Sequence, residues 1–328
     1  MVNAVTVFSG IPVAIIFMLA GAAFEAQAQI HRIGVLVPEM GRAQSQAQKG
    51  LIEELQQLGY QPRKSITFVI RNAKGNRNAI QPAAHELAAS KVNVIFTTGT
   101  GATLAASAAT RDIPIVFVHP GDPIALGLLK GSGESRGNVM GVAAFAAQTT
   151  PTRLALLKEI FPALQKLHIY FDSNSSYARE NFALVESAAK ELALYVVSHG
   201  VKSVDELKAG VDATPSEPGA AIFHIPDDLV ESEVDFIFET ARQKKLPTMF
   251  NEEAWAIAGA MAAHGPNYLH MGRQAGRLVD KILKGQTRGS VPVQRAAKFD
   301  LTLNYRTANI IGLRLSQEIL KKADKVIR

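Results

Sequence analysis

The stretch "FTTGTGATLAASAAT", residues 96 to 110, ends an apolar run in Gly99-Thr100-Gly101 and continues into alanine-rich sequence of helical character. Glycines at such a strand-to-helix junction are used to hold phosphate, because the backbone N–H groups of a helix N-terminus point at an anion. A triphosphate also needs a lysine and a magnesium-binding hydroxyl, and Thr100 to Thr110 contains no lysine. The third glycine of a dinucleotide fingerprint is missing as well. What remains is a set of free N–H groups with hydroxyls at Thr98, Thr100 and Thr103, a combination suited to a single carboxylate. Hydrogen bonds to a charged group contribute roughly 1.5–3 kcal/mol each and a helix terminus roughly 0.3–1 kcal/mol. Three such bonds approach the roughly 8 kcal/mol of a micromolar complex, so the loop can hold a small acid without a metal. The same hydroxyls could instead cap the helix.

Other chemistry is sparser. The chain has no H-E-x-x-H pair, no cysteine nucleophile and no aspartate series at calcium-loop spacing. Its eight histidines are dispersed, and His119 and His264, which close apolar runs, read more simply as loop caps than as metal ligands. No cofactor and no metal are expected. Asp227-Asp228 and Glu252-Glu253 could form an acid–base pair, hold a ligand ammonium, or cap helices.

The elements that carry these groups follow from periodicity. Short apolar runs alternate with amphipathic stretches: "RIGVLV", "SQAQKGLIEELQQLG", "ITFVIRN", "AIQPAAHELAAS", "VNVIFTT" and "IPIVFV". The alternation recurs from "KLHIYFD" through "RENFALVESAAKELA", "LYVVSHG", "VDELKAGV", "AAIFHIP", "LVESEVDFIFETARQKK" and "LPTMFN" to "AGAMAAHG". Repeated strand–helix–strand order means parallel sheet, and two such series in 328 residues mean two α/β lobes. In such sheets ligands lie beyond the carboxyl ends of the strands. The segments following the apolar runs are small and polar: Pro38 to Gly41, Thr97 to Thr100, His119 to Pro123, Asp172 to Ser176, Pro226 to Asp228, Asn251 to Glu253 and His264 to Pro266. Turn and cap chemistry favours the same residue types whatever the function.

Composition agrees with a globular chain, at 47% hydrophobic and 20% charged residues. The net charge of +6 comes from Lys and Arg scattered beside acids, which reads as solvated surface and not as a nucleic-acid face. At the N-terminus, "IPVAIIFMLAGAAF" is short for a membrane span and is followed by Ala26-Gln27-Ala28, a small-x-small cleavage pattern. Residues 1–28 are therefore expected to be a signal peptide, although no Lys or Arg precedes the apolar run. With no cysteine to carry a lipid or a disulfide, the mature chain is expected to be free in the periplasm.

Several of these stretches together resemble the ABC transporter substrate-binding proteins. They are "IGVLVPEMGRAQSQAQKGLIEELQQLGY", "VNVIFTTGTGATLAASAATRDIPIVFVHPGDPIALGLL", "GNVMGVAAF", "HGPNYLHMGRQAGRLVDKILKGQTRGSVPVQ" and "FDLTLNYRTANIIGL". The likeness runs from about Ile30 to the end and points to the branch with tryptophan, phenylalanine and tyrosine binders. It implies an α/β type I periplasmic-binding fold: two Rossmann-like lobes with parallel sheets, three crossover segments, and a ligand cleft between the lobes. Lobe 1 would comprise 29–142 and 267–299, and lobe 2 would comprise 143–266 and 300–328. On this resemblance Glu39, Thr98, Gly99, Thr100 and Asp122 would face Ser173, Asn174, Asp227 and Glu252 across the cleft, with an acid such as Asp227 holding an amino group. The implied role is delivery of a small carboxylate-bearing ligand, an amino acid of aromatic or branched kind, to an inner-membrane ABC permease by a monomeric receptor with no enzymatic activity. A periplasmic α/β hydrolase is the alternative. A transcription regulator of similar fold would need a helix-turn-helix ahead of the first strand, where the signal sequence stands instead.

Overall fold

The computed structural model describes residues 1, 30–119, 121–124, 127, 137–285 and 293–328. The signal-peptide reading thus falls almost wholly outside the described residues. Among those described, no helix is long and apolar enough to cross a membrane.

In chain order the strands are β1 (His31–Val37), β2 (Ile66–Asn72), β3 (Val94–Thr98), β4 (Ile115–His119), β5 (Val139–Ala143), β6 (Lys166–Asp172) and β7 (Tyr195–Val201). There follow β8 (Ala220–Phe223), β9 (Thr248–Phe250), β10 (Ala262–Pro266), β11 (Gln294–Arg295), β12 (Phe299–Asn304) and β13 (Lys325–Ile327). They form two sheets, in the orders β11-β5-β4-β3-β1-β2 and β13-β12-β10-β9-β8-β6-β7. β3, β4 and β5 are buried along their whole length, as expected of parallel strands covered by helices on both faces. The chain passes between the sheets three times: after β5, after β10, and between β11 and β12. The first sheet is parallel throughout. The second holds one antiparallel pair, β10 with β12. β12 enters from the other lobe on the third passage, so it is free of the right-handed crossover that keeps consecutive βαβ strands parallel.

Each sheet separates two apolar clusters. In the first lobe Val35, Phe96 and Val118 pack with residues of helices Arg42–Gln57 and Tyr268–Leu283, while Ile95, Phe117 and Ala102 belong to a second cluster. Those two helices touch backbone to backbone. A Cβ on Gly50 would stand 2.0 Å from the Leu269 carbonyl oxygen, and one on Gly272 would stand 2.0 Å from that of Ala47. Only glycine permits this approach, which fastens the late segment of the chain to the first lobe.

Two local features differ from the sequence expectation or strain it. "LVESEVDFIFETARQKK" reads as one helix, yet it breaks into Asp228–Glu231 and Val234–Gln243. The break frees the short turn to carry Leu229 and Glu231 toward the interlobe cavity, while Ile237 and Phe238 of the longer helix enter the core. On helix Thr150–Ile160, Arg153 is fully buried. Its guanidinium lies 4.5 Å from the centre of the Phe223 ring, and none of its nitrogens has a hydrogen-bond partner among the described residues. Burial alone pulls its pKa down to about 9.

Candidate functional site

A cavity of about 500 Å³ opens between the lobes, where the carboxyl ends of β4, β6, β8 and β9 converge. That volume suits a ligand of amino-acid to small-metabolite size. The first lobe contributes Thr100, His119 and Gly121, and the second contributes chiefly Asp172, Ser175, Tyr177, Asp227, Glu231, Asn251 and Glu252.

The wall from the first lobe is built around the loop after β3. Gly99 has φ +81°, a conformation that disfavours any side chain, and it turns the chain directly into helix Thr100–Ala109. The Thr100 hydroxyl lies 2.6 Å from His119 Nε2. On the other side of that ring, the Gly121 N–H donates to Nδ1 at 2.7 Å. Burial draws the His119 pKa down to about 4, so near neutrality the ring carries a single proton. Since Nδ1 accepts, the proton is on Nε2, which donates to the Thr100 oxygen. The hydroxyl proton of Thr100 is thereby left to donate to something else. It stands at the N-terminus of a ten-residue helix whose first N–H groups lack intrahelical acceptors.

The opposite wall is acidic. Asp227 is the N-cap of the turn that follows β8, and its two oxygens accept from Val230 N–H at 3.0 Å and from Asp172 N–H at 2.9 Å. Asp172 in turn accepts from Asn174 N–H at 2.8 Å, and Ser175 caps helix Ser176–Glu191 through Ala178 N–H. These three residues hold the wall's backbone in place while presenting oxygen atoms. Glu231 and Glu252 are differently placed. Burial, reinforced by the negative charges of Glu252, Asp228 and Asp227, pushes Glu231 up to about 8. Burial pushes Glu252 up to about 6, opposed by a 2.9 Å hydrogen bond from Tyr268 Oη. His224 Nε2 stands 3.7 Å from Glu231, but this buried ring is stacked on Phe250, and burial holds its pKa well below the ordinary value. It is therefore neutral near pH 7 and supplies no counter-charge. The adjacent Glu253 pairs instead with Arg42 of the first lobe at 3.0 Å and with Lys325.

The family model for ABC transporter substrate binding proteins matches residues 32–327. The chain belongs to that family. A tyrosine-binding protein of Clostridioides difficile strain R20291 is 26% identical to this substrate-binding protein over 277 residues, covering 84% of this chain and 79% of the relative. The ligand-free, open structure of a substrate-binding protein with adhesive properties from Clostridium difficile superposes with a TM-score of 0.78 at 23% identity, over 91% of this chain and 99% of that one. An ABC domain from Streptococcus pneumonia in complex with L-Trp gives 0.75 at 22% identity, over 91% of this chain and 100% of the other. These structures share the two-lobed type I periplasmic-binding fold.

Of the residues named from sequence, the fold brings Thr100, Asp227 and Glu252 to the cavity wall. Gly99 shapes the loop beside them, its N–H donating to the Val118 carbonyl at 3.2 Å. The others do not line the cavity. Thr98 is buried at the end of β3, with no partner for its hydroxyl among the described residues. Glu39 is exposed and lies toward Gly75. Asp122 accepts from Ile124 N–H within its own turn, Ser173 donates to the Val201 carbonyl, and Asn174 is exposed at the turn Asp172 caps. For Asp122 and Ser173 a local hydrogen bond directs the side chain elsewhere. The lining residues not chosen from sequence include His119, Asp172, Ser175, Tyr177, Glu231 and Asn251. Four of these six belong to the polar segments read from sequence, and Asp172, Ser175 and Asn251 each adjoin a residue that was chosen. The sequence also contains a G-x-S-x-G match, Gly133 to Gly137, but it precedes β5, whereas a nucleophile elbow follows a strand and opens a helix.

Proposed function

We propose that this protein is the exported receptor of an ABC importer, which closes its lobes over one small amino-acid ligand and delivers it unchanged to an inner-membrane permease. The reading rests on the polarity of the interlobe cavity. One wall offers the Thr100 hydroxyl proton and a helix N-terminus, and the facing wall offers Asp227, Glu231 and Glu252. A zwitterion spanning the gap meets donors at its carboxylate and acceptors at its ammonium. Because its two ends touch different lobes, the ligand favours the state in which they approach, and it stabilises that state by its differential affinity alone. The tyrosine-binding relative and the L-Trp complex of a fold relative support an amino acid as ligand. In this reading residues 1–28 direct export, the lobes divide at the boundaries expected from the sequence, and the receptor works as a monomer. Native mass spectrometry of the freshly purified protein, with calorimetric titration of the common amino acids and their amines, tests it. A bound ligand recovered chemically intact at one per chain is the expected result. Ligand turnover, or the absence of binding across the panel, would overturn it.

A further inference from the structure

The charges around the cavity do not balance for an ordinary zwitterion. The lining contains five carboxyl side chains, Asp172, Asp227, Asp228, Glu231 and Glu252, and among the described residues no Lys or Arg. Its one histidine, His119, is neutral. Asp172 and Asp227 are engaged with backbone N–H groups, which disperse their charge. Among the described residues Glu252 accepts from the Tyr268 hydroxyl, and neither it nor Glu231 is held by backbone N–H groups in this way. They lie close enough to repel each other, and among the described residues neither forms an ion pair with a Lys or Arg, whereas the neighbouring Glu253 takes both Arg42 and Lys325.

A separate observation comes from Asn251, which follows β9 in the lining. It is only 3% exposed, and its Oδ1 has no close hydrogen-bond partner among the described residues; the buried His224 ring beside it interacts with it only weakly, as the smallest of the influences on that ring. Buried polar atoms are nearly always satisfied, so an orphaned acceptor in a cavity wall points to a donor brought by the ligand. Acceptors therefore outnumber donors on this side. A single α-ammonium supplies three N–H donors and one charge, enough for Glu252; burial and the surrounding acids keep Glu231 protonated near neutral pH, and a second cation beside it is what lets that carboxyl ionise. Apart from the imidazole, the only aromatic ring among the described lining residues is Tyr177, a small stacking surface for an indole or a phenol.

We infer that the ligand carries a second cationic, donor-rich group, a guanidinium or a distal ammonium, held among Glu231, Glu252 and Asn251, so that the substrate class is a basic amino acid or a diamine. This ligand class rests on the receptor reading of the same cavity and specifies its occupant. A guanidinium fits such a site well, because its planar fork of five donors can meet two carboxyl groups and an amide oxygen at once.

Calorimetric titration at pH 8 with L-arginine, L-lysine, putrescine, L-tyrosine and L-tryptophan separates the possibilities. The expected result is that at least one of the first three binds ten-fold or more tightly than either aromatic amino acid, with affinity falling as salt is raised. Glu252→Gln and Asn251→Ala, each checked for folding by its thermal transition, should weaken that ligand ten-fold or more. Tighter binding of tyrosine, tryptophan or any other uncharged amino acid would overturn the inference and leave the receptor reading standing. No binding by any of the five, together with no binding across the wider amino-acid panel, would remove both. Tight arginine binding that is unchanged in both variants would place the cation elsewhere and refute the site.

Discussion

Replacing Glu231 by Gln should make the unliganded protein more stable, and only at neutral or alkaline pH. In the folded chain this carboxyl is pushed up to about 8 from its usual 4.5 by burial and by the acids around it. A carboxyl whose value is raised on folding contributes its stability fully below pH 4.5, and that contribution is lost as pH rises toward 8. At pH 7 the distance from 4.5, at about 1.4 kcal/mol per pH unit, sets an upper bound of about 3.5 kcal/mol on the cost of Glu231. Its side chain is 29% exposed, so residual water lowers the figure to a range of about 1–3 kcal/mol. Glutamine keeps the shape and has no charge to suppress. For a chain of this size the gain corresponds to roughly 2–6 °C in melting temperature. Thermal unfolding of both proteins without ligand, at pH 4.5 and pH 8, is the assay. The two should melt together at pH 4.5 and separate at pH 8, with the variant higher. A gap of equal size at both pH values, or a less stable variant at pH 8, would refute the electrostatic reasoning.

Two further substitutions have measurable consequences. Thr100→Val removes the hydroxyl that receives the His119 proton and faces the cavity; at roughly 1.5–3 kcal/mol per bond to a charged group, titration should show affinity for a carboxylate ligand falling about ten-fold or more. If affinity is unaltered while stability drops, the hydroxyl is scaffold only. Arg153→Met removes a buried cation that lacks a hydrogen-bond partner among the described residues while keeping much of its volume, and denaturant unfolding should show stability unchanged or raised, by up to about 4 kcal/mol. A loss of several kcal/mol would mean that the guanidinium's place over Phe223 matters more than its desolvation.

The alternation of apolar and amphipathic runs made the two α/β lobes legible, because a buried parallel strand such as "VNVIFTT" has few other solutions. The antiparallel β10–β12 pair was hidden, since it depends on where the third passage between lobes returns. The polar segments at strand ends were equally legible, but of the side chains facing the cavity only Thr100, Asp227 and Glu252 were among those chosen. Thr98 and Thr100 are two residues apart, yet Gly99 at φ +81° separates a buried hydroxyl from one at the wall. Ser173 and Ser175 differ in the same way, one donating to Val201 and the other capping a helix beside the cavity. Glu231 lies inside a run that reads as continuous helix, and only the break after it brings the carboxyl inward. Such choices depend on single hydrogen bonds, which leave no periodic trace.

Closure of the lobes on a bound ligand is the central claim, and the absence of cysteine allows it to be measured cleanly. Leu104 and Leu184 are exposed on helices Thr100–Ala109 and Ser176–Glu191, one from each lobe. Spin labels on Leu104→Cys and Leu184→Cys report the distance between the lobes by pulsed electron resonance. With the ligand identified by titration present at saturation, the distance distribution should shift to shorter values and narrow, and it should recover when the ligand is dialysed away. A distribution that stays unchanged while titration on the same labelled protein shows full occupancy would contradict binding between the lobes.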